Sequence, residues 1–225
     1  MSTVTPMQVK SLRQRTGAGM MDCKNTLIEA GGDEEKAVAL IQKKGLAKVA
    51  KKAGAIAAEG LVHSYIHAGA KVGVLVEVNC QTDFVARNED FKQFVEELSM
   101  HIASEKPEVV RDEELSADLI ASQIDIFKGQ LAEEAKETGK EKPAAAIEKI
   151  IEGKLAKWKK SVCLVDQIFI MSDDKKTIAQ TLDALSAKIG EKLNIRRFAR
   201  YELGEGIAKK TEDFAAEVAA TIASA

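Results

Sequence analysis

The chain has 225 residues, and its 33 lysines and arginines nearly balance 35 aspartates and glutamates, which gives a formal net charge of −2. A charge so near zero provides no overall attraction to nucleic acid or to an anionic membrane, so we expect neither as a partner. Apolar residues make up 45% of the chain but aromatic residues only 4%, a composition typical of a helix-rich globular protein with a buried core.

Three short helices are predicted in residues 1–45. Residues 5–8 form a capping box with proline at the first helical position. A second helix is predicted over residues 20–30, and Asp33 should cap a third helix that ends near Gly45. Together they predict a compact N-terminal three-helix module.

A sheet with a covering helix follows a connector. Residues 46–59 mix lysines with alanines, which favours a solvated helical connector over an RNA-binding arm, because the lysine run has no aromatic residues for base stacking. From Gly60 the apolar period becomes two, which predicts a β-hairpin whose second strand begins at Val72. An amphipathic helix capped by Asn88 should cover this hairpin.

A helical hairpin is predicted over residues 116–160. Ser116 should cap a helix to about residue 137 whose apolar positions Ile120, Ile124, Phe127 and Leu131 form a heptad-like seam. Pro143 opens a second helix after a Gly/Lys turn, so the pair should be an antiparallel coiled coil that projects from the core.

The remaining segments should complete an α+β fold. Residues 162–171 read as a strand, a capping box at 177–180 starts another helix, and residues 193–203 read as a final strand. We therefore predict a small antiparallel sheet core, built from residues 60–115 and 161–205, with helices packed on it.

A C-terminal helical module is predicted over residues 206–225, after the small sheet core. It carries one apolar face on an alanine-rich segment, formed by Phe214, Ala215, Val218 and Ile222. Such a terminal helix is expected to dock either on the core or on a partner.

The stretch Thr82, Asp83, Phe84 and Val85 lies between the hairpin and the helix capped by Asn88. It is expected on a turn, where an exposed phenylalanine beside a carboxylate indicates a binding function. The alternative is that Phe84 is the first core residue of the following helix and Asp83 a turn former.

The sequence matches none of the common catalytic, nucleotide-binding or metal-binding motifs. Gly17-Ala18-Gly19 precedes Met-Met-Asp and matches neither a dinucleotide fingerprint nor a phosphate-binding loop. His63 and His67 lie four residues apart on a strand, roughly 13 Å, too far to share an ion unaided. We therefore expect that the protein is not an enzyme and that it binds no cofactor, no metal and no nucleotide directly.

The three cysteines lie far apart, odd in number and without a CxxC spacing, which fits a reducing cytoplasm. The sequence shows no export signal and no apolar window long enough to span a membrane, so a soluble cytoplasmic protein is predicted. On the last strand, alternation should send Arg197 to one face and Arg196 and Arg200 to the other, either as solvated edge residues or as anchors for an acidic partner.

Two motifs carry a family resemblance that covers nearly the whole chain. Residues 12–24 (LRQRTGAGMMDCK) and 77–85 (EVNCQTDFV) resemble the two signature stretches of bacterial translation elongation factor Ts. Residues 194–198 (NIRRF), 204–206 (GEG) and 211–219 (TEDFAAEVA) are similar to the end of that family.

The resemblance implies a guanine-nucleotide exchange factor that binds elongation factor Tu in its GDP-bound and nucleotide-free states. It implies that Thr82, Asp83, Phe84 and Val85 intrude near the partner's Mg²⁺ site. It also implies that the N-terminal module, similar to ubiquitin-associated (UBA) domains, contacts the partner's GTP-binding domain. The residues of its signature that we assign to this contact are Arg13, Thr16, Gly17, Ala18, Gly19, Met20 and Met21.

The chain departs from longer members of that family, which resemble a protein with two copies of the core subdomain. A single copy suggests the hypothesis of a homodimer, with the sheet edge or Cys163 as candidate contacts. The alternative function is a protein-binding adaptor that uses the UBA-like module and has no exchange activity, since such modules are generic binders.

Overall fold

A computed structural model describes residues 4–51, 56–139 and 143–207, and its architecture is α+β, as predicted. The elements in chain order are α1 (Pro6–Thr16), α2 (Met20–Glu29), α3 (Glu34–Lys51), β1 (Glu59–Ile66), β2 (Val72–Cys80), α4 (Asp83–Ala86), α5 (Glu89–Glu105), α6 (Ala117–Thr138), α7 (Ala144–Val162), α8 (Ile178–Ile189) and β3 (Asn194–Glu202). The predicted C-terminal module lies almost wholly outside the described residues.

The N-terminal three-helix module is confirmed. The capping box at the start of α1 forms as predicted, and Asp33 accepts a hydrogen bond from the backbone N–H of Lys36 at the start of α3. One apolar cluster joins the three helices, formed by Val9, Leu12, Cys23, Leu27 and Ala37. Its likeness to UBA domains stays a prediction.

The predicted end of the third helix at Gly45 is wrong, because α3 continues to Lys51. Glycine in a helix interior is less favourable than alanine by about 1 kcal/mol, which is why the sequence suggested a stop there. A Cβ at Gly45 would lie 2.7 Å from the Cβ of Ala187 in α8. Tertiary packing of α3 on α8 therefore overrides the local propensity, and the start of the predicted connector is part of α3.

The sheet has the order β1-β2-β3, with both pairs antiparallel. The predicted hairpin and final strand are thus confirmed. Alternate residues of β2 point into the core, where α5 covers them with the apolar stripe that the sequence predicted. The buried residues at this interface are Val74, Val76, Val78, Cys80, Phe91, Phe94, Val95, Leu98 and Ile102.

The opposite face of the sheet is exposed in this chain. We call it the outer sheet face and define it by Val62 and Ile66 on β1, Leu75 on β2 and Tyr201 on β3, all of which are exposed large side chains. Pairing places Ile66 opposite Gly73 and Gly73 opposite Tyr201, so the Ile66 and Tyr201 side chains flank a glycine on this face.

Helices α6 and α7 form the predicted antiparallel hairpin. Leu131 is buried, whereas Ile120, Ile124 and Phe127 along the same seam are half-buried, as expected where two helices pack only on each other. At the base, Cys163 is buried with Val162 and Leu115, beside the half-buried Trp158. The hairpin is therefore joined to the core at one end.

The strand predicted over residues 162–171 is wrong. The chain there makes a 3₁₀ turn at Leu164–Asp166 and only isolated bridges, between Val109 and Cys163 and between Ile168 and Thr177. Leu164 and Phe169 nevertheless point into the core. The apolar pattern reflected burial of an irregular segment, which periodicity alone does not distinguish from a buried strand.

The predicted alternation on β3 is confirmed for Arg197 and Arg200, which lie on opposite faces, but it is wrong for Arg196. A β-bulge opposite Glu77 and Val78 inserts Arg196 as an extra residue. Arg196 and Arg197 consequently both bind the Glu77 carboxylate, at 3.0 and 2.7 Å. The side chain of Arg200 lies almost buried on the core side, where its Nε donates to the carbonyl of Ala103.

Candidate functional site

The sequence Thr82–Val85 forms the start of a short helix rather than a plain turn. In α4, Phe84 is 77% exposed, whereas Val85 and Ala86 pack into the core. The alternative that Phe84 is a core residue is therefore wrong. Asp83 is half-exposed and pairs with Arg87 at 2.9 Å. Helix α4 thus presents one aromatic ring and one carboxylate to solvent.

Glu191 holds the segment that leads into α4. Its Oε2 accepts hydrogen bonds from the backbone N–H groups of Gln81 and Thr82, at 3.2 and 3.1 Å. Its Oε1 accepts a third from the Thr82 hydroxyl at 2.9 Å. A carboxylate that accepts three such bonds fixes its donors more firmly than a neutral acceptor does.

Cys80 closes the same segment from the core side. Its Sγ lies 3.1 Å from the carbonyl oxygen of Thr82, to which the thiol donates. Burial, followed by the nearby charge of Glu191, raises the pKa of the Cys80 thiol. The thiol therefore keeps the proton that this hydrogen bond needs, and Cys80 is a packing and positioning group rather than a reactive one.

The N-terminal signature forms the turn between α1 and α2. Gly17 has φ of 68° and ends α1, while the Thr16 hydroxyl donates to the Leu12 carbonyl at 2.7 Å and accepts from the Ala18 N–H at 3.3 Å. Gly19 is the N-cap of α2. The side chains of Arg13, Met20 and Met21 are exposed beside this turn, and that of Ala18 packs against the module's core.

The last turn of α8 lies between the two signature segments. The Nζ of Lys188 binds the carboxylate of Asp90 in α5 at 2.8 Å. The Lys188 stem passes over Gly17, where an added Cβ would approach its Cε to 2.9 Å. A groove of 590 Å³ is lined by the turn between α1 and α2, by α3 and by α8. The structure thus places the two predicted sites on either side of one helix end.

The histidines have separate surroundings. His101 is buried, with its Nε2 2.8 Å from the Gln167 side-chain oxygen, and His67 contacts Tyr65 on the hairpin. Among the residues that the structure describes, no group of three or more histidine, cysteine or acidic side chains converges as a metal site would. None of the described helices combines the length and the apolar character that crossing a bilayer requires.

No sequence pattern pointed to Glu191. It is one of 35 acidic residues, and it follows a glycine that ends α8, in a segment without a recognisable motif. Its role depends on a contact with residues more than 100 positions earlier, and no local pattern reports such a contact.

Comparisons with known proteins agree on one family. The sequence model described as Elongation factor TS matches residues 32–205. The chain is 54% identical to Elongation factor Ts of Desulforamulus reducens, over 99% of both chains. It is 55% identical to Elongation factor Ts of Geobacter metallireducens and 53% identical to that of Carboxydothermus hydrogenoformans, in each case over 97% of this chain and 98% of the relative. The chain belongs to the elongation factor Ts family, whose members are factors of translation elongation.

Proposed function

We propose that this protein binds elongation factor Tu in its GDP-bound form and promotes release of GDP. Membership of the family supports the partner and the activity. The single observation that carries the mechanism is the exposure of Phe84. This large apolar side chain is 77% exposed on α4, a helix whose N-cap residue is hydrogen-bonded to Glu191. An isolated chain gains nothing from exposing this ring, so its use is expected in a complex.

Phe84 acts as an apolar wedge in this proposal. GDP is held largely through its phosphates and Mg²⁺, so a ring that displaces the elements around the metal weakens nucleotide binding without competing for the base. Asp83 lies beside the ring and reorganises polar groups near the Mg²⁺. Its pair with Arg87 is solvent-exposed, so exchanging Arg87 for a group of the partner costs little.

The N-terminal module provides a second contact, on the partner's GTP-binding domain. Two exposed methionines, Met20 and Met21, adjoin the exposed Arg13, and this mixture of flexible apolar and cationic side chains suits a protein surface. The module fixes the factor on its partner while α4 enters the nucleotide region.

Coupling between the two binding events explains turnover without catalysis. If the factor weakens nucleotide binding, nucleotide weakens binding of the factor by the same ratio. The nucleotide-free complex is therefore the tightest, and GTP releases the factor. The protein supplies no reacting group or cofactor in this scheme, and its place of action is the cytoplasm, with its partner.

A second copy of the chain is proposed on the outer sheet face. A sheet with one face on the core and several exposed apolar side chains on the other offers a surface suited to isologous association. Of the two contacts predicted from the sequence, Cys163 is fully buried and is not available to a second copy, whereas the sheet edge stays a prediction. Sedimentation of the free protein and of its complex tests the dimer: a monomer in both excludes it.

Exchange is tested by the release of a fluorescent GDP analogue from elongation factor Tu, with excess unlabelled GDP as a trap. The release rate should rise with the concentration of this protein and reach a plateau. An unchanged rate together with stable binding to the partner would instead establish an adaptor without exchange activity.

A further inference from the structure

The orientation of Phe84 depends on contacts outside its own helix. Helix α4 has only four residues, and a helix of that length is not stable alone. Thr82 is its N-cap residue, yet the Thr82 side chain makes no capping bond to α4. The hydroxyl donates instead to Glu191. The first turn of α4 is therefore aligned by a tertiary contact rather than by a local cap.

The end of α8 holds α4 from both sides. Glu191 fixes Gln81 and Thr82 just before α4, and Lys188 binds Asp90 in the first turn of α5, just after it. The position of α8 is itself fixed by its close packing on α3 at Gly45 and Ala187. A displacement of α4 would therefore have to break the contacts of Glu191 before this helix and the contact of Lys188 after it.

The two residues that follow Phe84 attach α4 to the core. Val85 and Ala86 pack into the main core, and the Cys80 thiol holds the Thr82 carbonyl. These contacts attach α4 to the core through the residues that follow Phe84 and through the Thr82 carbonyl. The three hydrogen bonds to Glu191 add a separate restraint at the residues that precede Phe84.

From this arrangement we propose that Glu191 is a positioning residue for nucleotide exchange: it sets the direction in which the Phe84 ring projects. The inference rests on the proposed function and extends it to a residue outside the two signature motifs. Glu191 acts through Thr82 and does not itself touch the partner's nucleotide site. It therefore governs the maximal release rate more than the affinity of the factor for its partner.

The test substitutes Glu191→Gln, which keeps the side-chain shape but removes the negative charge and leaves one acceptor oxygen where the carboxylate has two. We expect the plateau rate of GDP-analogue release to fall about tenfold, because small misplacements of an acting group have large effects on rate. The concentration that gives half of the plateau should stay within about twofold, since the N-terminal contact is intact. Glu148→Gln, an exposed position on α7, is the matched control and should leave both values unchanged.

A double-mutant cycle separates positioning from general destabilisation. If Glu191 acts through Phe84, Glu191→Gln should slow release about tenfold in the wild-type background but hardly at all in Phe84→Ala. An equal slowing in both backgrounds, or an unchanged plateau for Glu191→Gln, overturns the inference. Thr82→Val, which removes only the hydroxyl bond to Glu191, should give an intermediate plateau and provides the same test if Glu191→Gln folds poorly.

If the proposed function itself is wrong, the assay gives a different result from the one that overturns the role of Glu191. In that case the wild-type protein itself does not accelerate release of the GDP analogue, and no comparison of plateaus arises. When the wild type is active, only the response to Glu191 and Thr82 decides the inference.

Discussion

Phe84 and Val85 are consecutive residues with opposite surroundings: the Phe84 side chain is 77% exposed and that of Val85 only 7%. Neighbouring positions on one turn of α4 therefore hold an exposed aromatic ring and a buried core side chain. Substitution of each residue by alanine should distinguish the two contributions, because only one of the two side chains contributes to the core.

For Phe84→Ala we expect a strong loss of exchange at an unchanged melting temperature. Val85→Ala should lower the free energy of unfolding by about 2 kcal/mol, because it removes two buried methyl groups and leaves a cavity. Thermal or denaturant unfolding measures the stability of both variants, and the GDP-release assay measures their exchange activity. A large loss of stability in Phe84→Ala would contradict the assignment of its ring to the surface.

A buried histidine should make the protein sensitive to mild acid. Burial lowers the pKa of His101 below its ordinary value of 6.5, and its Nδ1 accepts from the Ile170 N–H, which requires the neutral ring. The unfolded chain thus binds the proton more readily. The stabilising contribution is complete above pH 6.5 and is lost as the pH falls below that value. Urea unfolding at pH 7.5 and 5.5 should show this loss.

The matched variant for that experiment is His101→Gln. It retains a donor toward Gln167 but has no group that titrates, so its stability should be lower at pH 7.5 and should change less between the two pH values. An equal pH dependence in the variant and the wild type would assign the effect to other groups.

A second acid transition is expected at lower pH. Hydrogen bonds from Lys106 and Arg200 lower the pKa of Glu202 from 4.5 to about 2. Because the folded pKa is depressed, the contribution of this carboxylate is present above pH 4.5 and is lost as the pH falls toward 2. Glu202→Gln should remove this part of the acid dependence and leave the part that begins near pH 6.5.

Two glycine substitutions should have opposite effects on stability. Gly129 lies within α6 with open space around it, so Gly129→Ala should stabilise the protein by about 0.5–1 kcal/mol. Gly45→Ala would bring a Cβ to 3.0 Å from the Ala187 backbone. Helix α3 must then shift away from α8, so we expect Gly45→Ala to destabilise the protein. We also expect a higher half-saturating concentration in nucleotide exchange. Denaturant unfolding and the GDP-release assay measure the two effects.

The three thiols should react slowly in the folded protein. Cys23, Cys80 and Cys163 are all free and fully buried, and burial raises the pKa of Cys163 to about 11. Titration with Ellman's reagent should find no fast-reacting thiol in the native state and three in denaturant. One fast-reacting thiol in native conditions would show that one of these sites opens readily.

Local signals predicted most of this fold. Both capping boxes, the Asn88 cap and the apolar stripe of α5 are decided within a few residues, and all form as expected. The hairpin also follows from the period of its own two strands. In these segments, propensity and burial favour the same structure, so short windows of sequence were sufficient.

The errors arose where tertiary contacts decide the structure. Helix α3 passes Gly45 because α8 lies close against it, and a bulge moves Arg196 to the side of Arg197. For the candidate site, the motif identified Phe84, but the structure added the α4 helix and the Glu191 contact. Only the folded chain brings Glu191 to Thr82, 109 residues away.

That separation also sets an order of events during synthesis. Thr82 leaves the ribosome long before Glu191, which at a translation rate of roughly 5–20 residues per second is a delay of several seconds or more. Both signature segments are thus outside the ribosome while the residue that orients one of them is still to be made. A nascent chain can therefore hold Phe84 in its final direction only after Glu191 has been translated and has left the ribosome.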